Sequence, residues 1–230
     1  MFAPVRQPLA LRTSFPPGLL VSAAAVSVMF TATPFLLPEL GRAFGVSTAA
    51  LGWFSAAQVA TFAIASFGAG RLLSPSHRLL VVSGVVFALA NVASVFVGDF
   101  WLLVGVRGLA GLASGTVNWI AWGQAARQPA AMGRVAAIGP IAATVGSLAF
   151  GPLIAWAGYQ AVFGAIAVVG GVAVLLPAAI ETGERVGGTV SDSRSNRVLL
   201  IAAGLLTLFA SSAFVFLGIR LEVLGAEPWV

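Results

Sequence analysis

Polar and charged positions in this chain gather in short clusters. Between them run apolar stretches close to the roughly 20 residues that a helix needs to cross a bilayer. Seven stretches meet that length, at about 18–38, 49–72, 79–97, 100–123, 135–158, 161–179 and 198–218. The pattern therefore predicts an all-α membrane protein of seven spans. The third and fourth spans are separated only around Gly98 and Asp99, and the fifth and sixth only around Gly158 to Gln160. Links so short force neighbouring spans to run antiparallel. The stretch from Glu181 to Arg197 is longer and carries Gly, Ser, Asp and Arg, the composition of a solvated linker. The first span is too long for the core of a signal peptide, and no convincing cleavage site follows it before the next loop, so it reads as a retained helix.

Composition agrees and removes several alternatives. Hydrophobic residues make up 59% of the chain and charged residues 8%, too little charge to cover the surface of a soluble domain of 230 residues. There is no Cys, which excludes disulfides, thiolate catalysis and Cys-ligated metals. The single histidine, His77, cannot by itself furnish a metal site or a Ser-His-Asp triad. All the basic residues are Arg, so lysine Schiff-base chemistry, including a retinal linkage, is excluded. Neither a metal nor a cofactor is expected. An intramembrane enzyme would need paired acids, a His cluster or a nucleophile with its base, and the sequence supplies none of these sets. The net charge of +5 is scattered between apolar spans, a pattern that points to the lipid bilayer as partner and not to nucleic acid.

The arginines also predict orientation. An N-terminus in the cytoplasm places Arg6, Arg12, Arg71, Arg78, Arg127, Arg134, Arg185, Arg194 and Arg197 inside, and only Arg42 and Arg220 outside. That bias fits the rule that cytoplasmic loops are rich in Arg and Lys, and predicts a multi-pass protein of the cell inner membrane. Seven spans then put the C-terminus outside.

Arg107 is the one arginine deep within a span, roughly 10 Å into the fourth helix at 1.5 Å per residue. A charge at that depth is costly and normally faces a polar cavity or a partner, or snorkels to the interface. Gly111 and Gly115 follow on the same helical face, and Asn118 and Trp122 continue it. The glycines alone read as a seam for close helix packing; with the arginine and the amide, the face becomes a candidate cavity lining. Gln58 in the second span is a further candidate, as are Thr31, Thr33, Trp53, Trp119 and Gln124. Each threonine can satisfy its own helix's carbonyls, and the tryptophans read first as interfacial anchors.

The stretch from Arg107 through Gly111 to Gly115 resembles the fourth-helix motif of the major facilitator superfamily, an Arg followed by glycines at helical spacing. Pro34 to Ser47 is similar to that family's first-helix exit, and Gly158 to Phe163 to its entry into helix six. The turn between the second and third spans matches the family at Gly70, Arg71 and Arg78, with Ser74 where the family carries Asp. In the fifth span, Gly139-Pro140, Gly146 and Gly151-Pro152 resemble the family's antiporter motif, with Ser147 and Ala155 where glycines are expected. Gly151 and Pro152 there imply a kink.

The resemblance implies a secondary transporter working by alternating access. Its implied layout is a cytoplasmic segment 1–17, a six-helix bundle 18–180, a cytoplasmic linker 181–197, and residues 198–230 as the first helix of an incomplete C-terminal bundle. On that reading the chain is the N-terminal part of an exporter of a small organic solute (drug, sugar or metabolite), driven by an ion gradient with protons as the candidate ion. No Asp or Glu lies within the seven spans, so a proton carrier is Glu39 at the end of the first, lies in a missing half, or does not exist. The rival expectations are a non-transporting sensor or assembly subunit, and a decayed transporter fragment.

Overall fold

The structure, a computed structural model, describes residues 15–180. The predicted linker and seventh span lie outside the described residues, as does most of the N-terminal segment. The described chain forms α1 (Pro17–Phe44), α2 (Thr48–Leu72), α3 (His77–Phe96), α4 (Phe100–Ala125) and α5 (Pro129–Leu175).

Each boundary has a local cause. Pro17 opens α1, where its fixed φ suits the first turn and its missing N–H costs nothing. Gly45 closes α1 at φ 61°, the left-handed C-cap that glycine adopts without a Cβ penalty. Side chains cap the next three helices: Ser47 Oγ accepts from the Ala50 N–H at 3.3 Å, Ser76 Oγ from Leu79 at 3.2 Å, and Asp99 Oδ1 from Leu102 at 2.7 Å. α2 stops just ahead of Ser74-Pro75, since the residue before a proline is driven away from helical angles.

The hydropathy reading places the middle spans within two residues, carries the sixth four residues past Leu175, and misses two other ends by more. α1 runs six residues past the expected stop at 38, because Pro34 and Pro38 sit inside the helix without ending it. α5 begins at Pro129, six residues before the expected 135, with proline again in the first turn. At Gly151 and Pro152, where a kink is expected, the backbone angles stay helical; the break in α5 falls at Ala157 (φ −144°) and Gly158 (φ 69°), at the link expected between the fifth and sixth spans. Only glycine reaches the second of these angles without strain.

That break divides α5 into two membrane crossings. A straight helix of 47 residues would be about 70 Å long, more than twice the hydrocarbon thickness. Contacts with α1 trace the reversal. A Cβ on Gly139 would meet Ser27 Oγ at 3.1 Å, Phe150 pairs with Phe35, and Tyr159 pairs with Phe44 at the far end of α1. The second limb, 159–175, then returns until the Pro177 carbonyl accepts the N–H of Gly18 at 3.1 Å, back at the start of α1. The described residues thus cross six times.

The distribution of polarity is that of a protein in lipid. Phe67, Phe96, Trp156 and Leu175 are each about 80% exposed (79–85%), while Arg107, Gln58, Asn91, Ser94 and Ser114 are all buried at 1% or less. Such an apolar exterior over a polar interior is costly in water and natural in a bilayer. The exposed Trp53, Trp101 and Trp156 all lie at the end that carries Glu39, Arg42 and Asp99, as an interfacial aromatic belt does. Arg71, His77, Arg78, Arg127 and Arg134 mark the opposite, basic end.

Without water to drive apolar surfaces together, helices in lipid associate through close backbone approach. α2 and α4 do so at Gly111 and Gly115. A Cβ on Gly111 would collide with Thr61 Oγ1 and the Gln58 carbonyl, and one on Gly115 with the Phe62 carbonyl. Ser66 Oγ donates across the seam to the Gly115 carbonyl at 3.2 Å. The second limb of α5 meets α3 in a similar way, with Val174 set against Gly84 and Phe87 against Gly170.

Candidate functional site

The close α2–α4 seam determines what surrounds Arg107. Gln58 lies 49 positions earlier in the chain, and the seam brings its amide oxygen to the guanidinium. Gln58 Oε1 accepts from Arg107 Nε at 2.9 Å and from Nη2 at 2.8 Å. From α3, Asn91 Oδ1 accepts from Nη1 at 2.9 Å, with Ser94 Oγ a longer contact at 3.5 Å.

Local bonds orient these acceptors. Asn91 Nδ2 donates to the Phe87 carbonyl at 2.8 Å, so its oxygen is left to face the arginine. The Ser94 hydroxyl donates to the Ala90 carbonyl at 2.8 Å and offers a lone pair. Aromatic rings close the remaining sides. Arg107 Cζ lies 5.7 Å from the Phe54 ring centroid and 5.2 Å from that of Phe163, on α2 and the second limb of α5. Ring faces attract a cation at such distances, more so where water is excluded.

Four helices therefore converge on one guanidinium, every group around it is uncharged, and Arg107 is 1% exposed. The acids among the described residues lie elsewhere. Glu39 pairs with Arg42 at 2.9 Å on the exposed end of α1, and Asp99 caps α4. Amides, a hydroxyl and rings can solvate a cation but cannot cancel its charge. The site thus holds a fixed positive charge inside the bundle, in a setting where fields are weakly screened.

The other residues singled out from sequence are spread over the molecule. Gly111 and Gly115 press on the α2 backbone, while Asn118 is half-buried and Trp122 is exposed further along α4. Thr31 donates to the Ser27 carbonyl of its own helix at 2.9 Å, and Thr33 to that of Met29 at 3.5 Å. Trp53 is exposed in the aromatic belt. Gly151 is buried and Pro152 exposed in the first limb of α5. At the basic end, Arg71 and Arg78 are exposed, and a Cβ on Gly70 would stand 3.0 Å from Trp119 Nε1. The structure thus joins Gln58 to Arg107 and Gly111, and Gly70 to Trp119 and Gln124, and leaves the rest apart.

Sequence reasoning missed Asn91, Ser94, Phe54 and Phe163. The first two had a legible signal, an amide and a hydroxyl three residues apart in a span whose other polar side chain is Ser83, and the pair shares one helical face. The phenylalanines had none among the 16 in the chain. Ser55, one turn from Gln58, carries the buried side-chain oxygen that lacks a hydrogen-bond partner among the described residues.

Comparison with curated proteins finds no match to this chain. Comparison with family models matches residues 19–227, nearly the whole chain, to the Major Facilitator Superfamily. Together with the apolar exterior, the six crossings and the buried arginine, that match makes this chain a multi-pass membrane transporter of the Major Facilitator Superfamily.

Proposed function

We propose that this chain contributes the first six-helix bundle (18–180), a cytoplasmic linker (181–197) and a seventh helix (from 198) to a secondary active exporter of a small organic solute. Its basic end faces the cytoplasm of a cell inner membrane, where arginine-rich loops are retained. A second bundle opposite this one completes the path, and rocking of one against the other exposes a midplane cavity to each side in turn. An ion gradient drives the cycle, with protons as the coupling ion.

The observation that carries this reading is the family match over residues 19–227. Direction rests on the glycine–proline pairs of the first α5 limb, Gly139-Pro140 and Gly151-Pro152, which resemble an antiporter motif. The bundle also suits rigid-body motion. Arg107 ties α2, α3 and α4 by hydrogen bonds and touches α5 through Phe163, so these helices move together.

The test is transport by the full gene product in inside-out membrane vesicles, with a panel of lipophilic dyes, sugars and amphipathic drugs. Substrate-dependent uptake that collapses on addition of a protonophore supports proton-coupled export. Uptake confined to right-side-out vesicles would reverse the direction. Transport of nothing in either preparation, from protein shown to be folded, would favour a non-transporting role.

A further inference from the structure

A second polar feature lies at the basic end, away from Arg107 and unused by the transport reading. A pocket of about 100 Å³ opens there between the end of α2, the entry to α3 and the last turns of α4. Gly70 and Pro75 form one wall; Trp119, Gly123, Gln124 and Arg127 form the other. Trp119 and Gly123 are one turn apart on the same face of α4, and Arg127 follows just beyond the end of the helix, so indole, gap and guanidinium border the same pocket.

We propose that this pocket binds a phosphate group. Its wall combines a guanidinium, which suits the planar, multi-oxygen face of a phosphate, with a carboxamide and an indole; Gln124 and Arg127 have interactions of their own, and the guanidinium's several N–H donors let it serve a phosphate beside them. The size is right for one such group with a water or two. Among the described residues the charge at this end has one sign: Arg71, Arg78 and Arg134 lie here, and both acids, Glu39 and Asp99, lie at the other end. The α4 C-terminus contributes a partial negative charge of about half a unit, which this excess of cations outweighs. The phosphate has two physical sources: the headgroup of an anionic phospholipid in the surrounding leaflet, or a soluble phosphate from the aqueous side.

Gly123 gives a test that leaves the guanidinium in place. Gly123 lines the pocket and a Cβ built there meets nothing within 4 Å, so Gly123→Leu is expected to occupy the pocket with its backbone undisturbed. Arg127→Gln removes the charge and keeps the volume. The full gene product is purified in dodecyl maltoside, a phosphate-free detergent, and phosphatidylglycerol is titrated in while bound lipids are counted by native mass spectrometry. Inorganic phosphate is then added as competitor, and each ligand's effect on the melting temperature is recorded.

One tightly held phosphatidylglycerol is expected on the wild type, with retention falling roughly tenfold in both variants, the effect of losing one charge-assisted contact or the space for it. Arg134→Gln, at the same end but outside the pocket, is expected to retain the lipid as the wild type does. Retention that resists inorganic phosphate identifies the lipid as source. Stabilisation by inorganic phosphate alone, lost in both variants, identifies the soluble source. Binding of neither probe overturns the proposal. So does equal retention in wild type and Arg127→Gln, or a loss in Arg134→Gln as large as in Arg127→Gln, which would reduce the effect to general surface attraction.

Discussion

Arg107 and Arg127 are separated by 20 positions along one stretch of chain and meet opposite surroundings. Arg107 is enclosed by side chains of three other helices, all uncharged. Arg127 stands beyond the end of α4 and lines an open pocket with Trp119, Gly123 and Gln124. A cation within the apolar thickness has to bring its solvation shell with it as side chains, which fixes the helices supplying that shell. A cation at the interface has water nearby and leaves its neighbours free to vary. Substitutions around the first should therefore cost stability, and substitutions around the second should not.

The largest expected effect comes from Gln58→Leu, which strips the acceptor from two N–H groups of a buried charge. A loss of about 3–5 kcal/mol is expected, visible as poor expression or a sharply lowered melting temperature in detergent. Should the variant melt within a degree or two of wild type, the enclosure of Arg107 would be far less complete than its contacts indicate. Gly111→Leu comes next. The new side chain would meet Thr61 and the Gln58 carbonyl, forcing α2 away from α4 at a cost of about 1–3 kcal/mol. Crosslinking between cysteines placed on facing positions of α2 and α4 should fall in this variant.

Arg107→Lys retains the charge but not the planar fork that reaches Gln58 and Asn91 together. About 1–3 kcal/mol should be lost, because one amide oxygen is left without its donor. A lysine variant as stable as wild type would mean that charge alone, and not the fork, holds the helices. The smallest effect has the opposite sign. Gly105 lies on the exposed face of α4 with nothing near a built Cβ, so Gly105→Ala should stabilise by about 0.5–1 kcal/mol. Gly123→Leu, beside Arg127, should leave the melting temperature of lipid-free protein nearly unchanged.

The contrast also explains what the sequence could disclose. Hydropathy located the crossings because bilayer thickness imposes a length on every one of them, and Arg107 stood out because a charge in such a span is rare. Gln58 was legible for the same reason. Asn91 and Ser94 form a pattern that a stricter search for polar pairs within apolar spans would find. Their pairing with Arg107 depends on how α3 and α4 rotate against each other, and no local pattern states a rotation. Phe54 and Phe163 differ from the other phenylalanines only by position in the assembled bundle. The bilayer ruler was less sure of the ends: it closed the first span at 38, while α1 keeps helical angles through Pro34 and Pro38 as far as Phe44. The break in α5 fell where Gly158 allows a positive φ, within the short link already marked as a turn.

The hydrogen bond from Gly18 to Pro177 has a consequence for the history of such a unit. A chain that enters and leaves a bundle at one spot is a closed module, and its flanking segments can be joined to another copy without stretching either. Geometry of this kind makes a bundle easy to duplicate in tandem, to exchange between genes, or to reopen at a different loop, because its two ends already lie side by side.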